Sequence, residues 1–159
     1  MQLRPLLPPL GSFLRHRSRA FSALTLGLPL LGATAPAGDV SAVVTDLRSD
    51  KGEVVACLTM RPDAFPECER DPQARSIKVP AAATVLIDFG LVPAGHYAIA
   101  VFHDENSNGR LDKRLMLPRE GYGFSRNAPV RMGPPRFVDA AFSTEAAGHH
   151  ETIRMRYIF

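Results

Sequence analysis

The chain has 159 residues, a formal net charge of +3, two cysteines and no tryptophan. Four of its 19 basic residues stand among the first 37 positions, where no acidic residue occurs, which leaves 15 basic against 16 acidic residues in the remainder. That balance excludes the basic stripe that neutralises nucleic-acid phosphates, so no nucleic-acid partner is expected, and about 120 residues suffice for one domain with its own core.

Arg4, Arg15, Arg17 and Arg19 precede an apolar stretch over 20–31 and the small-residue run Gly32-Ala33-Thr34-Ala35-Pro36-Ala37-Gly38. This is the order of a secretory signal peptide. A cut after Ala35 leaves proline first, so the bond after Ala37 is the expected one, with a leader over 1–37 and a single domain over 38–159. The alternative is an uncleaved anchor, but the apolar core is short for a bilayer and contains Pro29. A periplasmic or secreted protein with no stable membrane span after cleavage is expected.

Short β-like runs alternate with turn signals from there on. Strands are expected at 40–47, then after Ser49-Asp50-Lys51-Gly52 at 53–60. Cys57 and Cys68 then close a small loop, whose spacing suits a disulfide worth roughly 3 kcal/mol. Further strands are expected at 76–79, at 83–89 with Val85, Ile87 and Phe89 inward, and, after a turn at 91–95, at 97–102. The last two are expected at 137–142 and 152–158, the final one carrying Ile153, Met155, Tyr157 and Phe159 on one face. No sustained 3.6-residue apolar period interrupts this pattern. The fold class is therefore all-β: an antiparallel β-sandwich of about seven strands, immunoglobulin-like or transthyretin-like, with a closed barrel as the alternative. The lack of tryptophan and the closeness of the cysteines exclude an antibody-type domain.

The strand at 97–102 delivers His103-Asp104-Glu105-Asn106-Ser107-Asn108-Gly109-Arg110-Leu111-Asp112. Oxygen-bearing side chains at alternate positions, followed by glycine, have the grammar of a Ca²⁺ loop. Asp104, Asn106 and Asn108 supply side-chain oxygens, Gly109 the turn, Arg110 a backbone carbonyl and Asp112 a closing carboxylate. Leu115 stands where an EF-hand has its bidentate glutamate, so Ca²⁺ affinity on the order of 10⁻⁴ to 10⁻³ M is expected. Glu105 or Glu120 can add a ligand. The alternative is an Asx-rich turn that holds itself without an ion.

The loop over 104–135 is too long for a plain hairpin. Its Leu111, Leu115, Met116, Leu117, Tyr122 and Phe124 either plug one end of the sandwich or, with Tyr122, Phe124 and Arg126, form a binding surface at its rim. His103 beside Asp104 raises acid/base chemistry, but strand neighbours point to opposite faces. His149-His150-Glu151 reads as a solvated turn without metal-ligand spacing, and Ser125 as a loop residue rather than a nucleophile.

The segment Ala100-Val101-Phe102-His103-Asp104-Glu105-Asn106-x-Asn108-Gly109-x-Leu111-Asp112, with Pro118-x-Glu120-Gly121-Tyr122-Gly123-Phe124-Ser125-x-Asn127 after it, resembles the bacterial family catalogued as domain of unknown function 2141. Gly133-Pro134-Pro135-Arg136-Phe137 and Leu91-x-Pro93-x-Gly95-x-Tyr97 agree, and the resemblance covers nearly all of 38–159. It implies exported, predominantly β proteins without an established activity. The expected function is thus a non-catalytic binding or accessory module of the bacterial cell envelope, with an envelope protein or glycan as partner and Ca²⁺ as the one candidate cofactor. The alternative is an envelope hydrolase using His103 and nearby carboxylates.

Overall fold

The computed structural model describes residues 36–159, so the expected leader lies almost wholly outside the described residues. What is described is mostly β. The first sheet holds β1 (Ala37–Thr45), β4 (Val85–Pro93) and β10 (His149–Arg154) in the order β10-β1-β4. The second orders β3 (Arg75–Pro80), β2 (Glu53–Thr59), β5 (Gly95–Asp104) and β8 (Gly121–Phe124) side by side. One edge of β5 is shared end to end: its first residues pair with β9 (Phe142–Thr144), and Ala100 to His103 pair with β8.

Period-2 burial builds the core, as alternating strands require. Val40, Ala42 and Val44 of β1, Val85, Ile87 and Phe89 of β4 and Ile153 of β10 form one buried cluster with Val54, Ala56 and Leu58 of β2 and Ile99 and Val101 of β5. Each Val, Leu, Ile or Phe side chain among them is worth about 1.5–3 kcal/mol when removed from water. A second cluster gathers Phe65, Ala98, Tyr122, Phe124, Ala128 and Ala140. Cys57 and Cys68 form the expected disulfide, with Cα atoms 6.5 Å apart.

Four local expectations are corrected. Residues 91–95 are not a turn: β4 runs through Pro93 and β5 begins at Gly95. The strand expected at 137–142 is split into a short helix α1 (Phe137–Ala140) and β9, because Phe137 packs against the second cluster. The last strand starts at His149 and runs parallel to β1, so the expected all-antiparallel pairing does not hold. His149 and His150 are therefore not a solvated turn: His149 stacks on Phe142 at 4.1 Å and bonds Glu151 at 2.9 Å, and His150 bonds Ser41 at 2.7 Å.

The long loop has structure of its own. A hairpin of β6 (Lys113–Arg114) and β7 (Leu117–Pro118) forms a separate two-stranded sheet ahead of β8. Beyond β10, the amide of Met155 bonds the Thr45 carbonyl at 2.9 Å. Arg156 then exchanges two backbone bonds with Tyr122, at 3.0 and 2.9 Å, so the C-terminal segment reaches β8.

Candidate functional site

His103 and Asp104 end β5, still paired with Val54 and Glu53 of β2, and both are fully buried. The loop that follows folds back on the Asp104 carboxylate. Its two oxygens accept the backbone N–H of Asn108 at 3.0 Å and of Gly109 at 2.6 Å. The Asn106 side-chain oxygen shares the Asn108 N–H at 3.0 Å, and the Asn108 side-chain oxygen accepts from the Arg110 amide at 2.8 Å. Gly109 turns with φ of +77°, in the left-handed region that glycine adopts without steric cost. Asp112 closes the ring, its two oxygens accepting the side-chain amides of Asn106 at 2.9 Å and Asn108 at 3.1 Å. Four of the five residues assigned to an ion thus converge through their side chains, and Arg110 joins by its backbone.

Glu120 completes the arrangement in a way the sequence only hinted at. Its carboxylate is buried, and it accepts the Glu105 amide at 3.0 Å with one oxygen and the Asp112 amide at 2.9 Å with the other. It therefore pins both ends of the loop. Among the described residues, Asp104, Asp112 and Glu120 form no ion pair with Lys or Arg. Leu115, at the position of the missing bidentate glutamate, stands exposed on the β6–β7 turn and cannot close the ring.

Beneath the loop lies a second network. The His103 Nε2 meets the Lys51 carbonyl at 2.7 Å. A carbonyl only accepts, so Nε2 carries a proton, and in the neutral ring Nδ1 accepts the Tyr157 hydroxyl at 2.8 Å. The Tyr157 oxygen in turn accepts the Arg48 amide at 3.2 Å. The Arg48 guanidinium lies 4.5 Å over the Tyr157 ring and is bound to the Glu105 carboxylate. That bond holds the Glu105 carboxyl below its usual range against an opposing effect of burial, and raises Arg48. Burial pushes the Tyr157 hydroxyl up.

The EGYGFS-x-N stretch accounts for the rest of the frame. A side chain at Gly121 would place its Cβ 2.4 Å from the Tyr157 ring, so the approach of Tyr157 to His103 demands glycine there. Tyr122 and Phe124 are each 8% exposed and pack in the second cluster; Phe65 meets Phe124 edge-on at 5.7 Å. Of the two arrangements expected of them, they take the plug and not the rim surface; of that trio only Arg126 is exposed. Ser125 is fully buried, its hydroxyl accepting the Ile99 amide at 2.9 Å and donating to the Ala140 carbonyl at 2.6 Å. The Asn127 side chain acts as a further strand residue, donating to the Thr152 carbonyl at 2.8 Å and accepting the Arg154 amide at 2.9 Å.

A catalytic reading needs a hollow where His103 meets other reactive groups. Among the described residues, one hollow runs along Pro129–Arg136 and another lies between Leu58 and Tyr97, and His103 lines neither. No group of three His, Cys, Asp or Glu side chains suited to a metal ion occurs among the described residues.

The fold and this loop define a mostly β domain whose most distinctive segment is a hydrogen-bonded clamp at the end of a central strand. Over residues 42–152 the chain matches the profile of DUF2141, described as an uncharacterized protein conserved in bacteria. The chain belongs to that family. No curated protein and no solved structure matches it.

Proposed function

We propose that this protein is an exported, non-catalytic β-sandwich that serves as a binding or accessory module of the bacterial cell envelope, with an envelope protein or glycan among its partners. The sandwich reading rests on the two larger sheets sharing one hydrophobic cluster through their inward residues. The kind proposed is immunoglobulin-like or transthyretin-like, with the parallel β1–β10 pair as a departure. Export rests on the leader pattern over 1–37.

One observation carries the non-catalytic reading: His103 is fully buried with both ring nitrogens occupied, and Asp104 and Glu120 beside it spend their oxygens on backbone N–H groups. A general acid or base must reach a substrate proton, and these groups face their own chain. The test is to incubate the protein with isolated envelope material and measure released sugar and peptide fragments. No release above the blank is expected. Release that disappears in a folded His103→Gln variant would establish the hydrolase instead.

The loop over 104–112 is on this reading a self-sufficient Asx clamp. A second reading, a weak Ca²⁺ site, is favoured by the convergence of Asp104 and Asp112 without a cationic side chain paired to either. The donor set suits a hard cation, but the amides of Asn106 and Asn108 present nitrogen to Asp112 and must turn for an ion to enter. Calorimetric titration with Ca²⁺, with Asp104→Ala as the control, separates the two: heat at millimolar Ca²⁺ that the variant lacks supports the ion.

A further inference from the structure

The β6–β7 hairpin is built against its own backbone preference. A two-residue hairpin turn puts both central residues at positive φ, where Asn-Gly is favoured. Here those residues are Leu115 and Met116, at φ of 49° and 68°. Leucine and methionine have no polar group to ease that conformation and no freedom from the Cβ clash. The result is that both apolar side chains stand in solvent, 89% and 91% exposed, with Leu117 half-exposed beside them. Strain that displays a side chain rather than burying it points to function.

The surroundings of that tip are cationic. Arg110, Lys113, Arg114 and Arg119 are all exposed. Among the described residues none of their side chains takes part in a hydrogen bond or ion pair. The one carboxylate in the same stretch, Asp112, is turned inward to the amides of Asn106 and Asn108. The hairpin is also held in a fixed pose at its root. The Arg119 amide bonds the Asp112 carbonyl at 2.9 Å, and the Asp112 amide bonds Glu120. The clamp thus orients the finger in advance, which reduces the ordering cost of docking.

We propose that this hairpin docks on an anionic phospholipid bilayer, with Leu115 and Met116 entering the headgroup–acyl boundary and Arg110, Lys113, Arg114 and Arg119 seated among the phosphates. An apolar tip ringed by cations is complementary to that surface on both counts. A transmembrane strand needs about 9–11 residues, and each strand of this hairpin has two, so the finger rests in the interface and does not cross. The inference goes beyond the envelope-module reading and does not depend on it, since it follows from the hairpin alone.

The absence of tryptophan supplies the probe. Met116→Trp places a single indole at the tip, where full exposure makes misfolding a minor concern, and circular dichroism checks the fold. The full-length variant is titrated with vesicles of phosphatidylglycerol and phosphatidylcholine, and separately with pure phosphatidylcholine. Emission should move to the blue and be quenched by bromine-labelled acyl chains with the anionic vesicles, and far less with the neutral ones. Adding Lys113→Glu and Arg114→Glu should raise the lipid concentration at half-shift by at least roughly 25-fold, at about fivefold for each cation lost from the surface. An indole that stays in water while the chain sediments with anionic vesicles would mean that another segment binds, and would overturn the proposal. An equal shift on neutral vesicles, or one that survives both charge reversals, would do so too.

Discussion

Removing the buried Glu120 carboxylate should cost more than the loss of a single hydrogen bond. In Glu120→Ala two backbone N–H groups, of Glu105 and Asp112, lose their acceptor at once. A hydrogen bond to a charged group contributes about 1.5–3 kcal/mol. Both bonds are only part-buried, and Glu120 has no cationic partner to offset its own desolvation, so the lower end applies to each. The expected loss is about 3 kcal/mol. For a domain of this size that corresponds to a fall in melting temperature of roughly 10–15 °C. Glu120→Gln should lose about 2 kcal/mol, because its amide accepts from one N–H and sets its own donor against the other. Thermal and urea unfolding followed by circular dichroism measure both variants. A Glu120→Ala midpoint within about 0.5 kcal/mol of wild type, the range of an ordinary surface substitution, would refute the clamp.

Tyr157→Phe removes the donor to His103 Nδ1 and the acceptor of the Arg48 amide, and should destabilise by about 1–2 kcal/mol in urea unfolding; an unchanged curve contradicts the network. Replacing both Cys57 and Cys68 by alanine should lower stability by roughly 3 kcal/mol, and thiol labelling of the oxidised wild type should find no reactive cysteine; two labelled thiols would remove the bridge from the account. The acid limb follows from Glu105, whose carboxyl is held low by the Arg48 bond. Its folded pKa lies below the unfolded value of about 4.3, so the pair contributes above that pH and its contribution is lost as the pH falls through the folded pKa. The urea-midpoint difference between wild type and Glu105→Gln should be constant from pH 7 to 5 and shrink below about 4.3. A difference that stays constant down to pH 3 would contradict the assignment.

The parts of the fold legible in the sequence were those written in local pattern. The alternation Val85, Ile87, Phe89 marks the inward face of β4, and the run ending at Phe102 does deliver His103 and Asp104 to the loop. Gly109 turns the loop as its place after Asn108 suggests. What escaped was set by partners far along the chain. β8 reads as loop because Gly121 and Gly123 lack strand propensity, yet pairing with β5 and with Arg156 makes it a strand. For Tyr122 and Phe124 the sequence left a plug and a rim surface both open, and only packing with distant Phe65, Ala98 and Ala140 decides for the plug. Arg48 and Tyr157 lie over 100 residues apart in the chain, and nothing in either neighbourhood announces their contact or their link to His103. Glu120 belongs to the recognisable EGYGFS stretch, but its role as an acceptor for two backbone amides emerges only from the folded loop.

The most direct measurement is amide hydrogen exchange of the loop without added Ca²⁺. Four N–H groups are diagnostic: Glu105 and Asp112, held by Glu120, and Asn108 and Gly109, held by Asp104. A clamp that holds itself predicts slow exchange at all four in the presence of a chelator, with little change on adding millimolar Ca²⁺, and fast exchange at Glu105 and Asp112 in Glu120→Ala. Fast exchange at all four until Ca²⁺ is supplied would contradict it and make the loop an ion-dependent one.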